Sequence, residues 1–489
     1  MAPAVNNHSD SEVFRLLRTP AKLGTLDHFR APRSARGERL QTGRDLRQKV
    51  PRSSHAEYTP IRGRPDPVSV LEAQNRQRIR SLVPVRMSRM VASPFAFLRG
   101  SAAIMAADLA KSPRTGLEVM ACGDMHLLNF GLFASAERNL IFAINDFDEV
   151  HPGPWEWDLK RLAASAAVAA VFVGGDKADA EAAAHASIAS YVERMRRYSE
   201  MGFLEIWYDL IDERTILATM PPRLRRRAEA VIDKAHAKGH MRALDRLTEE
   251  VRGKHRIIAD APLIVRPSRL SDGTPISAAL DALLRSYVAS LPEDRRRLFS
   301  RYRVVDVARK VVGVGSVGTS CWIVLLEGID SQDPLFLQVK EARQSVLAPY
   351  FGRKSPVVHQ GQRVVTGQRL IQGSPDIFLG WGPVGANKDG HFFVRQLADM
   401  KGGVSFEEND EDALDGLAEY CRLCGWALAL AHAKSGDPAT ISGYCGTNDA
   451  LPDAIAKYAL AYLEQTERDH AALKAAVRSG RIKASEKAT

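Results

Sequence analysis

Cysteine is scarce in this chain, and the scarcity limits its class. The 489 residues include five cysteines, too few for a disulfide scaffold, so we expect a reducing compartment. No run reaches the roughly 18–20 consecutive apolar residues that a membrane-spanning helix needs. The best candidate, from Leu162 to Gly174, is short and alanine-rich and is interpreted as a buried helix. The first ten residues lack the basic-then-apolar order of a secretory signal. These absences predict a cytoplasmic protein without a membrane partner.

Apolar and charged residues occur in ordinary proportions. They make up 45% and 26% of the chain, which excludes a wholly disordered or fibrous protein. The length favours about three structural units, at roughly 150 residues each.

Most of the excess positive charge lies near the N-terminus. The formal net charge is +10, and residues 1–65 contain thirteen basic and six acidic side chains, or +7 of that total. No RNP-type aromatic, zinc-finger or helix-turn-helix pattern accompanies the arginines. We interpret this stretch as a solvated arm that packs loosely on the body, so nucleic acid is not favoured as a partner.

Changes of composition divide the chain into four segments. We expect a basic irregular arm at 1–60 and a mainly helical lobe at 61–300. A β-rich lobe follows at 301–400, and C-terminal helices at 401–489 pack on the helical lobe. The expected strands of the β-rich lobe are Val304–Val312, Cys321–Glu327, Leu335–Val339 and Phe392–Leu397.

Two carboxylate loops carry the clearest chemical signal. GDMHLLNFG ends at Gly131 and follows an expected strand at Leu117–Cys122, and DFDE begins at Asp146 after an expected strand at Leu140–Ile144. Asp124 and Asn129 have the D-x-x-x-x-N spacing of a phosphotransferase catalytic loop, in which the aspartate accepts a hydroxyl proton and the asparagine binds Mg²⁺. Asp146, at the head of a D-F-x loop, is the second expected metal ligand. Asp148 is a third candidate ligand.

Two other interpretations of these loops stay open. Asp and Asn are common turn and capping residues without any catalytic role. Alternatively, a two-metal phosphoesterase could use carboxylates and imidazoles as ligands, although that chemistry usually brings a further D-x-H motif upstream of these loops and a G-N-H motif downstream, and neither is present. The candidate ligands for it are Asp124, His126, Asp146, Asp148 and His151.

A glycine-rich loop lies between two expected strands of the β-rich segment. Its G-x-G-x-x-G pattern is followed by a strand rather than by a helix, which is typical of the kinase phosphate cover and not of a dinucleotide-binding loop. The residues expected to contact the nucleotide are Gly313, Gly315, Ser316 and Gly318. A β-hairpin bulge is the alternative.

Lys340 ends the strand FLQVK and resembles the phosphate-binding lysine of a V-A-I-K strand. An exposed strand-end lysine is the alternative. The neighbouring Glu341 should point to the opposite face of the strand. The segment from Val357 to Gln372 contains no glutamate, so the acidic partner that kinases provide for this lysine is not evident.

The order of these elements is reversed relative to ordinary kinases, because the glycine loop and Lys340 follow the catalytic loop by about 190 residues. Chain order does not prevent two distant segments from forming one cleft. We therefore expect an α+β, protein-kinase-like fold of two lobes that is circularly permuted, with the catalytic-loop lobe preceding the glycine-loop lobe.

Taken together, several motifs between residues 45 and 470 resemble a known bacterial family. The motifs are R-x-x-R-M (86–90), S-P-F-x-F-x-R-G (93–100), G-D-x-H-x-x-N-F-G (123–131), N-D-F-D-E (145–149), P-G-P-W-E-W-D-L-K-R (152–161), Q-V-K-E-A (338–342), G-Q-R-V-V (361–365) and H-A-x-S-G-D (432–437). The family they resemble is domain of unknown function 2252. The resemblance implies a fold similar to protein kinases and aminoglycoside phosphotransferases, and it brings no established substrate. In such folds an aspartate placed like Asp158 braces the catalytic loop; a helix-start acid favoured by the dipole is the alternative.

The sequence thus favours a phosphotransferase that uses ATP and Mg²⁺ on an unknown hydroxyl acceptor. Its rival is a catalytically silent, kinase-shaped module that binds nucleotide, and a metal-dependent phosphoesterase is third. The missing partner of Lys340 and the rearranged order motivate the rival.

Overall fold

The computed structural model describes residues 26–485 except 61, 271, 312, 352–358, 385–389 and 398–399. Residues 1–25 of the expected arm, and Val312 at the end of an expected strand, lie outside this part. The fold is mixed α+β. The strands are β1 Glu118–Ala121, β2 Phe130–Ala134, β3 Leu140–Ile144, β4 His151–Pro154, β5 Thr248–Val251, β6 Lys254–Ile257, β7 Ile264–Val265, β8 Arg303–Lys310, β9 Cys321–Glu327, β10 Pro334–Glu341, β11 Gly380–Val384 and β12 Gly390–Gln396.

The helices precede, separate and follow these strands. They are α1 Leu26–Arg30, α2 Arg36–Lys49, α3 Pro67–Asn75, α4 Val83–Val91, α5 Pro94–Gly100, α6 Ala102–Leu109, α7 Trp155–Phe172, α8 Lys177–Tyr198, α9 Phe203–Tyr208, α10 Glu213–Thr219, α11 Pro222–His236, α12 His240–Leu247, α13 Ile276–Ser290, α14 Glu293–Phe299, α15 Gln360–Ile371, α16 Glu411–Ser435, α17 Pro438–Cys445 and α18 Ala450–Arg478.

Helix α7 forms the centre of the helical body. Its residues 155–170 are all buried, and the helix packs against α8, α16 and α18. Small alanine side chains on α7 allow these neighbours to approach closely. The alanine-rich run from Leu162 is therefore a core helix, as its composition indicates. Among the described residues, we find no helix with the length and apolar character required to cross a membrane.

A six-stranded antiparallel sheet forms the second part of the fold, in the order β11-β12-β10-β9-β8-β7. One face packs on α13 and α14 through side chains that include Trp322, Val324 and Val339. The other face packs on α12 through side chains that include Ile323 and Phe336. Because strand side chains alternate in direction, Lys340 emerges on the α12 face, between Cys321 of β9 and Phe393 of β12.

Two helices that precede residue 300, α13 and α14, pack on the sheet. Leu283 and Tyr287 of α13 and Phe299 of α14 share one apolar cluster with the sheet, although the sequence places them in the helical lobe. The reason is that amphipathic helices reveal an apolar face but not the surface that it will cover. The four strands expected between 301 and 400 are present, and β7 lies within the stretch 257–267, which the sequence predicts to be extended, while β11 and the short strands β5 and β6 were not expected.

The N-terminal arm differs from its expected irregular form. Residues 26–30 and 36–49 are helical. Helix α2 packs against α17 with the two backbones in direct contact at glycines. A Cβ on Gly43 would lie 2.0 Å from the Thr440 carbonyl oxygen, and one on Gly443 would lie 2.2 Å from that of Leu40. Since this contact uses glycines rather than an apolar stripe, the periodicity of the sequence did not reveal it.

Arginines of the arm complete the C-terminal end of α17. The Arg47 side chain donates to the carbonyl oxygen of Tyr444 (2.9 Å), and Arg52 donates to that of Cys445 (2.7 Å). The last carbonyls of a helix lack intrahelical partners and attract cations. Part of the positive charge of the arm is therefore used within the fold.

We expect His55 to make stability depend on pH. The side chain is fully buried, with its Nε2 2.7 Å from the Tyr444 hydroxyl, and burial followed by the charge of Lys160 lowers its pKa to about 3. The unfolded chain binds a proton near pH 6.5, so the stabilisation from neutral His55 is complete above that pH and is lost as the pH falls. From pH 7.5 to 5.0 the loss is about 2 kcal/mol.

Urea unfolding of wild type and His55→Gln at both pH values measures this effect. Because the glutamine side chain of the variant does not titrate, the stability advantage of wild type should shrink by about that amount at pH 5.0. An advantage that stays constant would contradict the assignment of His55 as a buried neutral side chain.

Candidate active site

The loop after β1 is held by a buried carboxylate. Asp158, in the first turn of α7, accepts hydrogen bonds from the backbone N–H groups of Cys122 (2.6 Å) and Gly123 (2.9 Å). His432 Nε2 lies 3.3 Å from the same carboxylate. Gly123 has φ +75°, a conformation that favours glycine. Asp158 therefore braces this loop, besides lying at a helix start.

Asp124 presents one carboxylate oxygen to the cleft and commits the other to an arginine. Its Oδ1 accepts a 2.8 Å hydrogen bond from Arg161 Nε and a second from Nη2 of the same side chain. Arg161 is buried and also donates to the Leu98 carbonyl oxygen. A Cβ on Gly315 would lie 4.0 Å from Asp124 Oδ2, so the glycine loop passes close to this oxygen. The pair fixes the orientation of the Asp124 carboxylate.

Asn129 closes the same loop. Its Nδ2 donates to the Asp124 carbonyl oxygen at 2.6 Å, and its own carbonyl oxygen accepts from the N–H of Asn145 at 2.8 Å. This second bond joins the two carboxylate loops directly. Since the amide nitrogen is used internally, the amide oxygen is the atom of Asn129 that can bind a cation.

Lys340 meets both carboxylates of the second loop. Its Nζ lies 3.5 Å from Asp146 Oδ2 and forms an ion pair with Asp148 Oδ2. The lysine side chain is 3% exposed, whereas those of Asp146 and Asp148 are 35% and 25% exposed. The structure thus brings together residues that are 194 positions apart. The acidic partners of Lys340, which the sequence did not identify, are therefore these two aspartates.

The charges in this cluster influence one another. Burial opposes the charge of Lys340, but Asp146 and Asp148 outweigh it and raise the lysine pKa. Burial also opposes ionisation of Asp146, yet Lys340 and Arg395 bring its pKa below the usual range. Burial and then Asp146 raise the pKa of Asp148. Two carboxylates that share one ammonium titrate as a unit.

The glycine loop lies over these carboxylates. Ser316 Oγ is 3.3 Å from Asp148 Oδ2, and Gly313 and Gly318 have φ of +65° and +88°. The loop is anchored to the helical body, because Arg78 donates to the Val317 carbonyl oxygen and Arg89 to that of Gly313. Gly313, Gly315 and Ser316 line the cleft. Gly318 does not line it; its carbonyl oxygen accepts from the Ile79 N–H at 2.8 Å.

Helix α15 takes hold of the second loop through an arginine. Arg363 is buried and donates to the carbonyl oxygens of Asp148 (2.9 Å) and Arg343 (2.7 Å), and to that of Val150. Glu341 does not reach Lys340; it accepts from the Ser320 N–H and from Arg343. The sequence did not reveal the roles of Arg161 and Arg363, although each lies within a recognised motif, at 152–161 and 361–365.

Three cavities meet at Asp146 and Gly313. We call the first, of about 180 Å³, the carboxylate cleft; it is lined by Asp124, Asn129 and Asp148 among others. The second, about 380 Å³, is the lysine cavity, lined by Lys340 and Ser316. The third, about 520 Å³, is the basic cavity, so called because six Arg and Lys side chains line it. Such volumes suit small polar ligands.

The oxygen donors of the cleft fit a hard cation. Asp148 Oδ1 is buried and has no hydrogen-bond partner among the described residues, and the carboxylate of Asp146 lies beside it. Within the same described ranges, no group of three or more His, Cys, Asp or Glu side chains is arranged to hold a metal ion. Mg²⁺ is usually bound by one or two carboxylates together with phosphate oxygens and water.

The fold and the site define a class: an α+β protein in which a sheet delivers a buried lysine, beneath a glycine loop, to the carboxylates of a helical body. The chain belongs to the family described as uncharacterised protein conserved in bacteria, DUF2252, whose model matches residues 78–476. This confirms the resemblance drawn from the motifs. Neither the curated proteins nor the solved structures include a match to the chain.

Proposed function

We propose that this protein is a Mg²⁺- and ATP-dependent phosphotransferase that acts on a hydroxyl-bearing acceptor. The observation that carries the proposal is the position of Lys340 Nζ, 3.5 Å from Asp146 Oδ2 and under the loop that bears Ser316. A phosphate-binding cation, a phosphate cover and metal-binding oxygens are the parts that phosphoryl transfer requires.

The sheet supports the kinase-like part of this proposal. The glycine loop joins β8 to β9, Lys340 lies on the next strand, β10, and α15 follows. Protein kinases use the same succession: a glycine-rich loop, a lysine on the third strand and then a helix. We propose that the chain is a circularly permuted relative of that architecture, since its catalytic-loop segment comes first.

The residues of the cleft account for the proton in this reaction. Asp124, held by Arg161, would accept the proton of the acceptor hydroxyl while the oxygen of that hydroxyl forms a bond to the γ-phosphorus of ATP. The bond from that phosphorus to the bridging oxygen breaks, and ADP leaves with the electron pair. Lys340 would bind phosphate oxygens. Asn129, Asp146 and Asp148 would hold Mg²⁺, which neutralises phosphate charge.

The experiment is ATP binding and turnover, with γ-labelled ATP and Mg²⁺, in wild type and Lys340→Met. Loss of a charge-assisted contact costs about 1.5–3 kcal/mol, so we expect ATP affinity to fall about tenfold to a hundredfold. Lys310→Met, at the half-buried end of β8, is the matched control and should bind ATP normally.

Lys340→Arg retains the charge and tests whether the Lys340→Met substitution acts only by unfolding the site. Equal ATP affinity in wild type and a folded Lys340→Met variant would reject the proposal.

A silent nucleotide-binding module is the second candidate. It is favoured by α15, which contributes Arg363 rather than a carboxylate to this region. Calorimetry with ATP and Mg²⁺ distinguishes the two, because the module would bind nucleotide without releasing or transferring phosphate to any hydroxyl-bearing acceptor.

A further inference from the structure

The basic cavity collects positive charge from several separate segments. It opens beside Asp146 and Asn129 and has a volume of about 520 Å³. Six basic side chains line it: Arg99, Lys238, Arg242, Arg246, Arg395 and Lys401. Asp146 is the one carboxylate among its described lining residues.

Packing explains why these cations face one concavity. Ala243, Leu244 and Leu247 of α12 pack on the sheet, so Arg242 and Arg246, one turn apart, lie on the other side of the helix. The wall opposite is fixed by backbone pairing: the N–H of Met400 donates to the Lys238 carbonyl oxygen, and Gly402 forms a β-bridge with Leu132.

The positive charge of this cavity is poorly compensated. Lys238, Arg242, Arg246 and Lys401 form no ion pair with any residue that the structure describes. Arg99 Nε is buried and has no partner in that same part of the chain. Burial and then nearby Arg246 lower the pKa of Lys310 at the edge of the sheet. Like charges held this close repel one another, and a bound anion would relieve the repulsion.

The cavity also communicates with the proposed reaction centre. Arg99, Asn129, Asp146 and Gly313 line both the basic cavity and the carboxylate cleft that contains Asp124. Lys340, the proposed contact for the ATP phosphates, does not line the basic cavity; it lines the lysine cavity, which shares Arg395 and Lys401 with the basic cavity. A molecule whose anionic group occupies the basic cavity therefore has a route along Asn129 towards Asp124.

We infer that the basic cavity binds the phosphate group of the acceptor, so that the acceptor is a small phosphate ester with a free hydroxyl. Six cations exceed what a single carboxylate group requires, and a phosphate dianion matches planar guanidinium groups well. The inference rests on the proposed function for the role of acceptor, but the anion site itself does not depend on turnover.

The test is calorimetric titration of the full-length protein, loaded with ADP and Mg²⁺, with glycerol 3-phosphate and inorganic phosphate as probes. Uncharged glycerol is the matched ligand without phosphate. We expect Arg242→Gln/Arg246→Gln to weaken binding of both probes at least about tenfold. Arg225→Gln/Arg226→Gln, on the exposed side of α11, is the charge-matched control and should bind as wild type does.

The outcomes separate three cases. Probe binding that the cavity variant loses, with unchanged affinity for ADP, supports the inference. An equal loss of ADP affinity would assign the cavity to the nucleotide and overturn it, as would failure of wild type to bind either probe. Repeating the titration without ADP distinguishes the two proposals. If the protein binds no nucleotide but still binds phosphate, the anion site is retained and the phosphotransferase is rejected.

Discussion

Asp124→Asn is expected to lower the rate of phosphoryl transfer about 10²–10⁴-fold with little change in ATP affinity. General-base catalysis contributes a factor of that size, and the amide cannot accept the proton. Asp146→Asn should differ: as a ligand variant it should lose at least about a thousandfold in rate, because Mg²⁺ supplies several kcal/mol of charge stabilisation. Part of the Asp146→Asn defect should be recovered at high Mg²⁺, while that of Asp124→Asn should not.

Initial rates and nucleotide titrations at several Mg²⁺ concentrations check this pair of variants. Asp281→Asn, on the exposed surface of α13, is the matched control. Full activity of both cleft variants would refute the assigned roles. An Mg²⁺ response of Asp124→Asn equal to that of Asp146→Asn would refute the distinction between base and ligand.

Arg64→Met is expected to reduce the free energy of unfolding by about 3–5 kcal/mol. The Arg64 side chain makes two bidentate ion pairs, with Asp108 of α6 and Asp469 of α18, at distances from 2.6 to 2.8 Å. Both carboxylates are buried and the Arg64 side chain is 11% exposed, and Tyr462 and Gln465 also donate to the carboxylates. Removal of the arginine leaves two buried negative charges without their cation.

Urea unfolding at neutral pH measures this loss. In Arg223→Met, which breaks an exposed ion pair with Asp415, the expected cost is below about 1 kcal/mol. Adding Asp108→Asn and Asp469→Asn to Arg64→Met should restore part of the stability, since the unpaired charges are then absent. Similar losses for Arg64→Met and Arg223→Met would show that the buried network is not stabilising in the manner described.

Local patterns were informative where the cause of a structure is local. Strand β3 has the bounds expected from its apolar run, and Asp124, Asn129 and Asp146 lie in loops that follow strands, as the sequence predicted. The two cysteines of the C-x-x-C sequence, Cys421 and Cys424, are buried in α16, as their helical context indicated. Within each element the relevant neighbours lie within a few residues along the chain.

Contacts between distant segments were beyond the reach of such patterns. The packing of α2 on α17 depends on two glycines and on arginines at a helix end, which look like an irregular basic stretch in the sequence. Arg161 and Arg363 act through a carboxylate and through backbone carbonyls that belong to other elements. Their roles depend on distances in space, and these distances cannot be predicted from spacing along the chain.

The sequence by itself determined the types of group available: oxygen ligands in two loops, a strand-end lysine, a glycine-rich turn and the alternation that orients side chains on strands and helices. Only the tertiary structure decided that Lys340 lies against Asp146 and Asp148 and that basic residues from separate segments surround one cavity. The physical reason is that local conformation depends on neighbours along the backbone, whereas a site depends on how apolar faces and buried charges pair across the whole molecule.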